Sequence, residues 1–177
     1  MKNLLYLIIF SALILSFGSC RDNEKLNVWR EVNTNAYLEI TKNPEYKELK
    51  TKTGPTGVYY KVIESGTSTE HPLQTSKVKV LYKGTYYDGT VFDKGTSGNN
   101  IPVEFLLSGD NLIRGFSFAM QNMVVGDKWE IWIPYYLGYG AVGLQDYDYY
   151  YQYQEIIKGY TTLVFEVKLV SITQYPE

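Results

Sequence analysis

The chain of 177 residues is long enough for one domain of about 120 residues with flanking segments, and too short for two ordinary domains. Hydrophobic residues at 45% support a packed core and exclude wholesale disorder; 17 Lys+Arg against 19 Asp+Glu, a net charge of −2, lack the basic excess of a nucleic-acid binder. One cysteine excludes an internal disulfide, one histidine argues against His-built metal sites and Cys/His nucleophile pairs, and 18 tyrosines lift the aromatic share to 16%.

Lys2 supplies a positive start, and Leu4 to Phe17 is an apolar run broken only by Ser11 and Ser16. As a helix this run spans about 21 Å, short of the roughly 30 Å hydrocarbon core. A cleaved export signal over residues 1–19 is therefore expected rather than a membrane span. Gly18-Ser19-Cys20 closes the run and resembles a bacterial lipobox, with Phe17 in place of the more usual Leu. In a lipobox the cysteine thiol takes a diacylglyceryl group and becomes the new N-terminus. An ordinary secretory peptide with a coincidental cysteine is the competing reading. Removing residues 1–19 removes one charge, Lys2, leaving 16 positive against 19 negative residues, or −3.

Arg21 to Asn27 is polar and reads as a tether. From Val28 to Ile40, Trp29, Val32, Ala36 and Ile40 fall at helical spacing. Asn43-Pro44 ends that helix, because proline disfavours the helical conformation at the preceding residue. The charged stretch Glu45 to Lys52 reads as a further turn of helix, and Thr53-Gly54-Pro55-Thr56-Gly57 as a break. The expected division is a signal over 1–19, a lipidated tether and short helical arm over 20–53, and a folded domain over 54–177.

Strand signals dominate from Val58 onward. Val58 to Ile63 is aromatic and β-branched; Val78, Val80 and Tyr82 alternate on one face. Asp88-Gly89 signals a hairpin between Tyr86-Tyr87 and Thr90-Val91-Phe92. Val103, Phe105 and Leu107 share a face, and Trp129 to Ile133 is a strand stopped by Pro134. In Thr162 to Val170, Leu163, Phe165, Val167 and Leu169 face one way and Glu166 and Lys168 the other. One short helix is predicted from Phe116, Ala119, Met120 and Met123, capped by Gly126. Several strands, one helix and two more strands, with one wet and one buried face, indicate an α+β fold with the helix on the apolar face of an antiparallel sheet.

Six segments in order carry a more specific signal. They are Val80-Leu81-Tyr82-Lys83-Gly84, Asp88 to Asp93, Leu112 to Phe116, Met123 to Lys128, Ile133 to Gly140 and Thr162 to Val167. Together they resemble the FKBP-type peptidyl-prolyl isomerase family over about 110 residues, Val58 to Ile172. Gly57 to Ile63 is similar to the entry strand of the family's exported bacterial members. The resemblance implies a half-barrel, a curved antiparallel sheet of about five strands wrapped on one short helix, with the pocket between them. By correspondence of position it implies that Asp93, Tyr139, Phe92 and Tyr82 carry catalysis. Phe105, Leu112, Ile113, Phe116, Ile157 and Phe165 would bind substrate, with Phe116 as floor and Ile157 closing the loop side. Phe116 departs from the tryptophan floor of many members, and Val103 from the phenylalanine of some.

Turning an X–Pro bond breaks no covalent bond, so it needs no nucleophile, cofactor or metal. An apolar aromatic slot that desolvates the planar amide, with donors for the flanking carbonyls, suits it. In the family reading those donors are the Tyr139 hydroxyl and the Ile113 N–H. Inward strand aromatics such as Phe105 and Phe165 also fit plain core, Tyr82 and Tyr139 fit buried tyrosines with satisfied hydroxyls, and Asp93 fits a turn residue. His71 reads as surface and Arg114 as half of a structural ion pair.

Leu144 to Tyr160, with Tyr147, Tyr149, Tyr150, Tyr151, Tyr153 and Tyr160, is longer than the family's usual crossing. A platform for proline-containing segments, a sugar-stacking surface and a self-packed hairpin lid all fit it. Asp146-x-Asp148 is too little for a calcium loop.

The implied partners are proline-containing segments of exported proteins, macrolides of the FK506 or rapamycin type, and a membrane reached through the lipid. The implied setting is the envelope of a Gram-negative bacterium, facing periplasm or cell surface, with the protein a monomer. A catalytically weak module that holds clients is the rival class. Intact-mass measurement of the N-terminal peptide tests the anchor: an acylated peptide beginning at Cys20 is expected, and an unmodified thiol there would sink it.

Overall fold

The computed structural model describes residues 2–95, 100–109, 112–147 and 153–174, with backbone alone for 2–21, 147, 153 and 174. Cys20 therefore lies where only the main chain is described. The described chain begins with one helix, α1 (Lys2–Lys42), so Arg21 to Asn27 is helical rather than an irregular tether. No Gly or Pro falls between Cys20 and Asn43, and Pro44 is the first breaker after the helix.

The strands follow as β1 (Lys47–Thr51), β2 (Gly54–Glu64), β3 (Lys77–Tyr86), β4 (Val91–Asp93) and β5 (Val103–Leu106), then helix α2 (Arg114–Met120). After it come β6 (Lys128–Ile133), a 3-10 turn (Tyr135–Leu137), β7 (Gly143–Tyr147), β8 (Tyr153–Lys158) and β9 (Leu163–Gln174). Seven strands form one antiparallel sheet in the order β1-β2-β6-β9-β3-β4, with β5 also paired to β3. About five were expected. The additions arise because β3 takes two short partners, β4 and β5, and because the stretch read as helix, Glu45 to Lys52, holds β1.

That stretch carries one apolar residue in Lys-Glu-Leu-Lys-Thr, too few to set a period, yet Leu49 is only 3% exposed. The break at Thr53-Gly54 is the turn of the β1–β2 hairpin, with Gly54 at φ +125°, a conformation that favours glycine. The sheet thus extends across position 53. Four strands rather than two follow α2, because the tyrosine-rich insertion forms the separate β7–β8 hairpin. Asp148, Tyr149, Tyr150 and Tyr151 lie outside the described residues.

In β9, Leu163, Phe165, Val167 and Leu169 are buried as the alternation predicts. On the other face Glu166 pairs with Lys128 at 3.0 Å and Lys168 with Glu64 at 2.7 Å. Helix α2 packs on β2 and β6 and buries Phe116, Ala119 and Met120, with Met123 following them into the core. The helix ends at its cap Gln121, so Gly126 is not the cap. Gly126 sits in the next turn at φ +98° and donates its N–H to the Leu169 carbonyl at 2.9 Å. Arg114 lies 5.8 Å over the Phe118 ring and makes no ion pair among the described residues. His71 is exposed, its Nδ1 3.1 Å from the Met123 carbonyl.

Helix α1 docks across one end of the sheet, touching a different strand with each turn. The Trp29 ring meets Tyr86 at the end of β3, 5.9 Å between centroids. Four residues on, Asn33 is fully buried and accepts the Thr162 N–H, just before β9, at 2.9 Å. Four further on, the Tyr37 hydroxyl donates to the Gly57 carbonyl of β2 at 2.7 Å. Of the expected stripe Trp29, Val32, Ala36 and Ile40, all half-buried, Trp29 makes ring and hydrogen-bond contacts with the domain, and the polar residues Asn33 and Tyr37 supply further hydrogen bonds.

Gly115 lets α2 approach β6: a Cβ there would lie 2.3 Å from the Ile133 Cγ2. Gly115→Ala should cost about 1–3 kcal/mol of stability by overpacking. An unchanged urea midpoint would contradict that contact.

Candidate active site

Tyr82 of β3, Phe92 and Asp93 of β4, Phe105 of β5, Leu112 and Ile113 ahead of α2, Phe116 of α2, Tyr139 after the 3-10 turn and Phe165 of β9 surround one cavity of about 130 Å³. The topology explains the convergence. β4 and β5 pair with successive stretches of one edge of β3, and β9 runs along its other edge with Gly84 opposite Phe165.

Phe116 sits at the base. Its ring meets Phe165 at 5.3 Å and 79°, Phe105 at 5.8 Å and 63°, and Tyr82 at 6.1 Å and 74°. Phe92 meets Phe165 at 5.6 Å and 88°. These are edge-to-face contacts, favoured by the ring quadrupole at about 0.5–1.5 kcal/mol each. Rings held edge to face leave an apolar hollow.

Two polar devices edge this hollow. The Tyr82 hydroxyl donates to Asp93 Oδ2 at 2.7 Å, and the Gly95 N–H donates to Asp93 Oδ1 at 2.8 Å. Asp93 therefore uses both oxygens to hold a wall residue and the loop after β4. The Tyr139 hydroxyl has no hydrogen-bond partner among the described residues, and neither has the Ile113 N–H, so both are available as donors. Burial raises both phenols above the ordinary tyrosine value; the bond to Asp93 adds to this for Tyr82, and the nearby Asp93 charge adds to it for Tyr139. Among the described residues no group of three His, Cys, Asp or Glu is placed to hold a metal ion.

Nine of the ten residues named from the sequence meet at this cavity. Ile157 does not line it: it is 2% exposed within the core, while Ile156 beside it is 46% exposed. Strand alternation within the inserted hairpin, where Ile157 pairs with Leu144, turns Ile157 inward. Two glycines went unassigned. A Cβ on Gly84 would lie 2.6 Å from Phe92 Cζ, so glycine makes room there for the rings. Gly95, at φ +62°, supplies the N–H to Asp93. Glycine inside a strand is a readable mark of such close approach, as at Gly84.

A larger hollow of about 340 Å³ is lined by Glu64, Lys128, Glu166 and Lys168 together with Tyr82 and Lys83. Two ion pairs occupy it, so it offers no apolar slot.

Residues 68–170, more than half of the chain, match the family model described as FKBP-type peptidyl-prolyl cis-trans isomerase. The chain belongs to this family. It is 38% identical over 116 residues to the FKBP-type 22 kDa peptidyl-prolyl cis-trans isomerase of Escherichia coli, covering 66% of this chain and 50% of that one. It is 36% identical over 120 residues to the outer membrane protein MIP of Legionella longbeachae, covering 67% and 45%. This FKBP-family chain thus spans about half the length of those two relatives. A crystal structure of a peptidyl-prolyl cis-trans isomerase from Pseudomonas syringae pv. tomato superposes with a TM-score of 0.67 at 30% identity, covering 84% of this chain and 96% of that one. The antiparallel sheet with one main helix is accordingly the FKBP-like fold.

The raised phenols give a sign that can be checked. Because the folded state holds these protons more tightly than the unfolded chain, their contribution is fully present below pH about 10 and is lost as pH rises beyond it. Ultraviolet titration should show Tyr37, Tyr82 and Tyr139, all raised mainly by burial, ionising only above the ordinary range and together with loss of fold. All tyrosines titrating near pH 10 in an intact fold would contradict this.

Proposed function

We propose that this chain catalyses cis–trans isomerisation of X–Pro peptide bonds in exported proteins at the bacterial cell envelope. The observation that carries the reading is an aromatic cavity of about 130 Å³ with an unpartnered Tyr139 hydroxyl at its wall. An apolar cavity of about 150 Å³ accepts benzene, so this one suits a proline ring.

The barrier to rotation is about 18–20 kcal/mol and comes from amide resonance. Water stabilises the planar, more polar amide. Seating the proline against Phe116, Phe165 and Phe92 removes that water and favours the twisted amide, in which resonance is lost. Tyr139 donates to a substrate carbonyl and Ile113 N–H offers a second donor. Asp93, with both oxygens engaged by Tyr82 and Gly95, keeps the wall in place rather than moving a proton. Lowering the barrier by about 7 kcal/mol gives roughly 10⁵-fold acceleration.

The export signal, the lipidated Cys20 and the envelope setting belong to the same proposal. The apolar run closed by Cys20 supports them, as does the relative named an outer membrane protein. Docking of α1 on its own domain through Trp29, Asn33 and Tyr37 favours a monomer. Exposed Leu144 and Ile156 on the β7–β8 hairpin, with exposed Val142 just before it, favour client holding as the second reading.

A protease-coupled assay on Leu-Pro and Phe-Pro peptides decides between them. Acceleration is expected, blocked by macrolides of the FK506 or rapamycin type and flat between pH about 6 and 9, where no cavity side chain has its ordinary pKa. Tyr139→Phe should lower kcat/KM about 3- to 10-fold, the worth of one hydrogen bond. Peptide binding without acceleration would make the chain a holding module.

A further inference from the structure

We infer that helix α1 is part of the catalytic apparatus: Arg30 and Asn33 are positioning residues that set Tyr139 through the turn before β9. This rests on the isomerase reading above. Three neighbouring residues of α1's docked face grip three consecutive residues of that turn. The Arg30 guanidinium lies 4.7 Å from the centre of the Tyr160 ring. Trp29 Nε1 donates to Thr161 Oγ1 at 3.1 Å. Asn33 Oδ1 accepts the Thr162 N–H at 2.9 Å, and the Asn33 carbonyl accepts the Thr162 hydroxyl at 3.1 Å. Asn33 Nδ2 is spent on the Trp29 carbonyl at 2.9 Å, so the buried amide has both ends engaged.

The gripped turn is strained. Tyr160 has φ +61°, the left-handed region that side chains other than glycine and asparagine rarely enter. Surrounding contacts have to hold it there. Its ring lies between Arg30 and Tyr135, 5.2 Å from the latter.

The strain sits one step from the cavity. The Tyr160 N–H donates to the Gly140 carbonyl at 2.9 Å, and the Gly140 N–H donates to the Tyr135 carbonyl at 2.8 Å. The Tyr139 carbonyl accepts the Gly143 N–H at 3.1 Å. The backbone just after Tyr139 is thus tied to the segment that α1 clamps through the Tyr160–Gly140 bond, and Tyr135 before it through its ring contact with Tyr160. With α1 released, Tyr160 is free to leave the left-handed region, the bond to Gly140 goes with it, and the Tyr139 hydroxyl loses its fixed position over the cavity.

Asn33→Leu in the full chain keeps the branched shape of the side chain and does not lower helix propensity, while removing the amide's bonds. Hydrogen exchange of the Tyr160 and Gly143 amides should quicken about 10-fold, with the Val167 amide of β9 unchanged. The kcat/KM should fall by up to the about 3- to 10-fold lost in Tyr139→Phe and no further, and that loss should vanish in the Tyr139→Phe background, because displacing an absent hydroxyl has no effect. Should Asn33→Leu not fold, Arg30→Met removes the cation over Tyr160 and is read the same way. Equal quickening at Val167, or losses that add in the double variant, would make α1 a brace for stability alone and overturn the inference. An inactive wild-type chain would overturn the isomerase reading instead, and exchange at Tyr160 and Gly143 would still decide the clamp.

Discussion

Phe116 must be buried, and it lies on a helix too short to stand alone. Helix α2 has only seven residues, and isolated helices of that length do not form in water. It exists because Phe116, Ala119 and Met120 find the apolar side of the sheet, and because Gly115 removes the Cβ that would strike Ile133. The rings of Tyr82, Phe105 and Phe165 then meet Phe116 edge to face, and the hollow between them is the cavity. The site is a product of how the core closes. Rigid flat side chains close it incompletely at one spot.

The tyrosine excess has two structural uses. One set serves the cavity: Tyr82 and Tyr139 line it, and Tyr86 stands behind it, in contact with Trp29 at 5.9 Å and with the lining Phe92 at 5.2 Å. Another set, Tyr37, Tyr59, Tyr135 and Tyr160, lies along the docked helix. A tyrosine brings large contact area and a hydroxyl that finds a partner, which suits a seam between a helix and a sheet end. Among the described side chains of α1 the one that is buried is an amide, Asn33.

Much of this was legible in the residues. Alternation in Val78 to Tyr82 and Leu163 to Leu169 showed which faces are buried, and Phe116, Ala119, Met120 and Met123 marked the helix. Nine cavity residues followed from spacing shared with a known family. What was not legible depended on partners far along the chain. β1 is charged, and only its pairing with β2 makes it a strand. Gly126 stands where a cap would suit, but the helix stops earlier and Gly126 serves the turn that meets Leu169 instead. Ile157 was carried over from shorter loops, and the inserted hairpin turns it into the core. Asn33 gives no periodic signal, since the oxygen of its buried amide finds its partner only in Thr162, 129 residues away.

The proposed chemistry moves no proton, which fits a cavity without histidine, with Tyr82 and Tyr139 held above the ordinary phenol range and with both Asp93 oxygens already bonded. The claim that matters most is that this one cavity both binds the proline and turns it. Exchange-spectroscopy NMR of a Phe-Pro peptide with a small amount of the full chain tests it directly. The account predicts cross-peaks between cis and trans signals that the peptide alone does not show, with peptide-induced shifts centred on Phe116, Phe165 and Tyr139. Shifts at those residues without exchange cross-peaks, or exchange with the shifts located elsewhere, would contradict it.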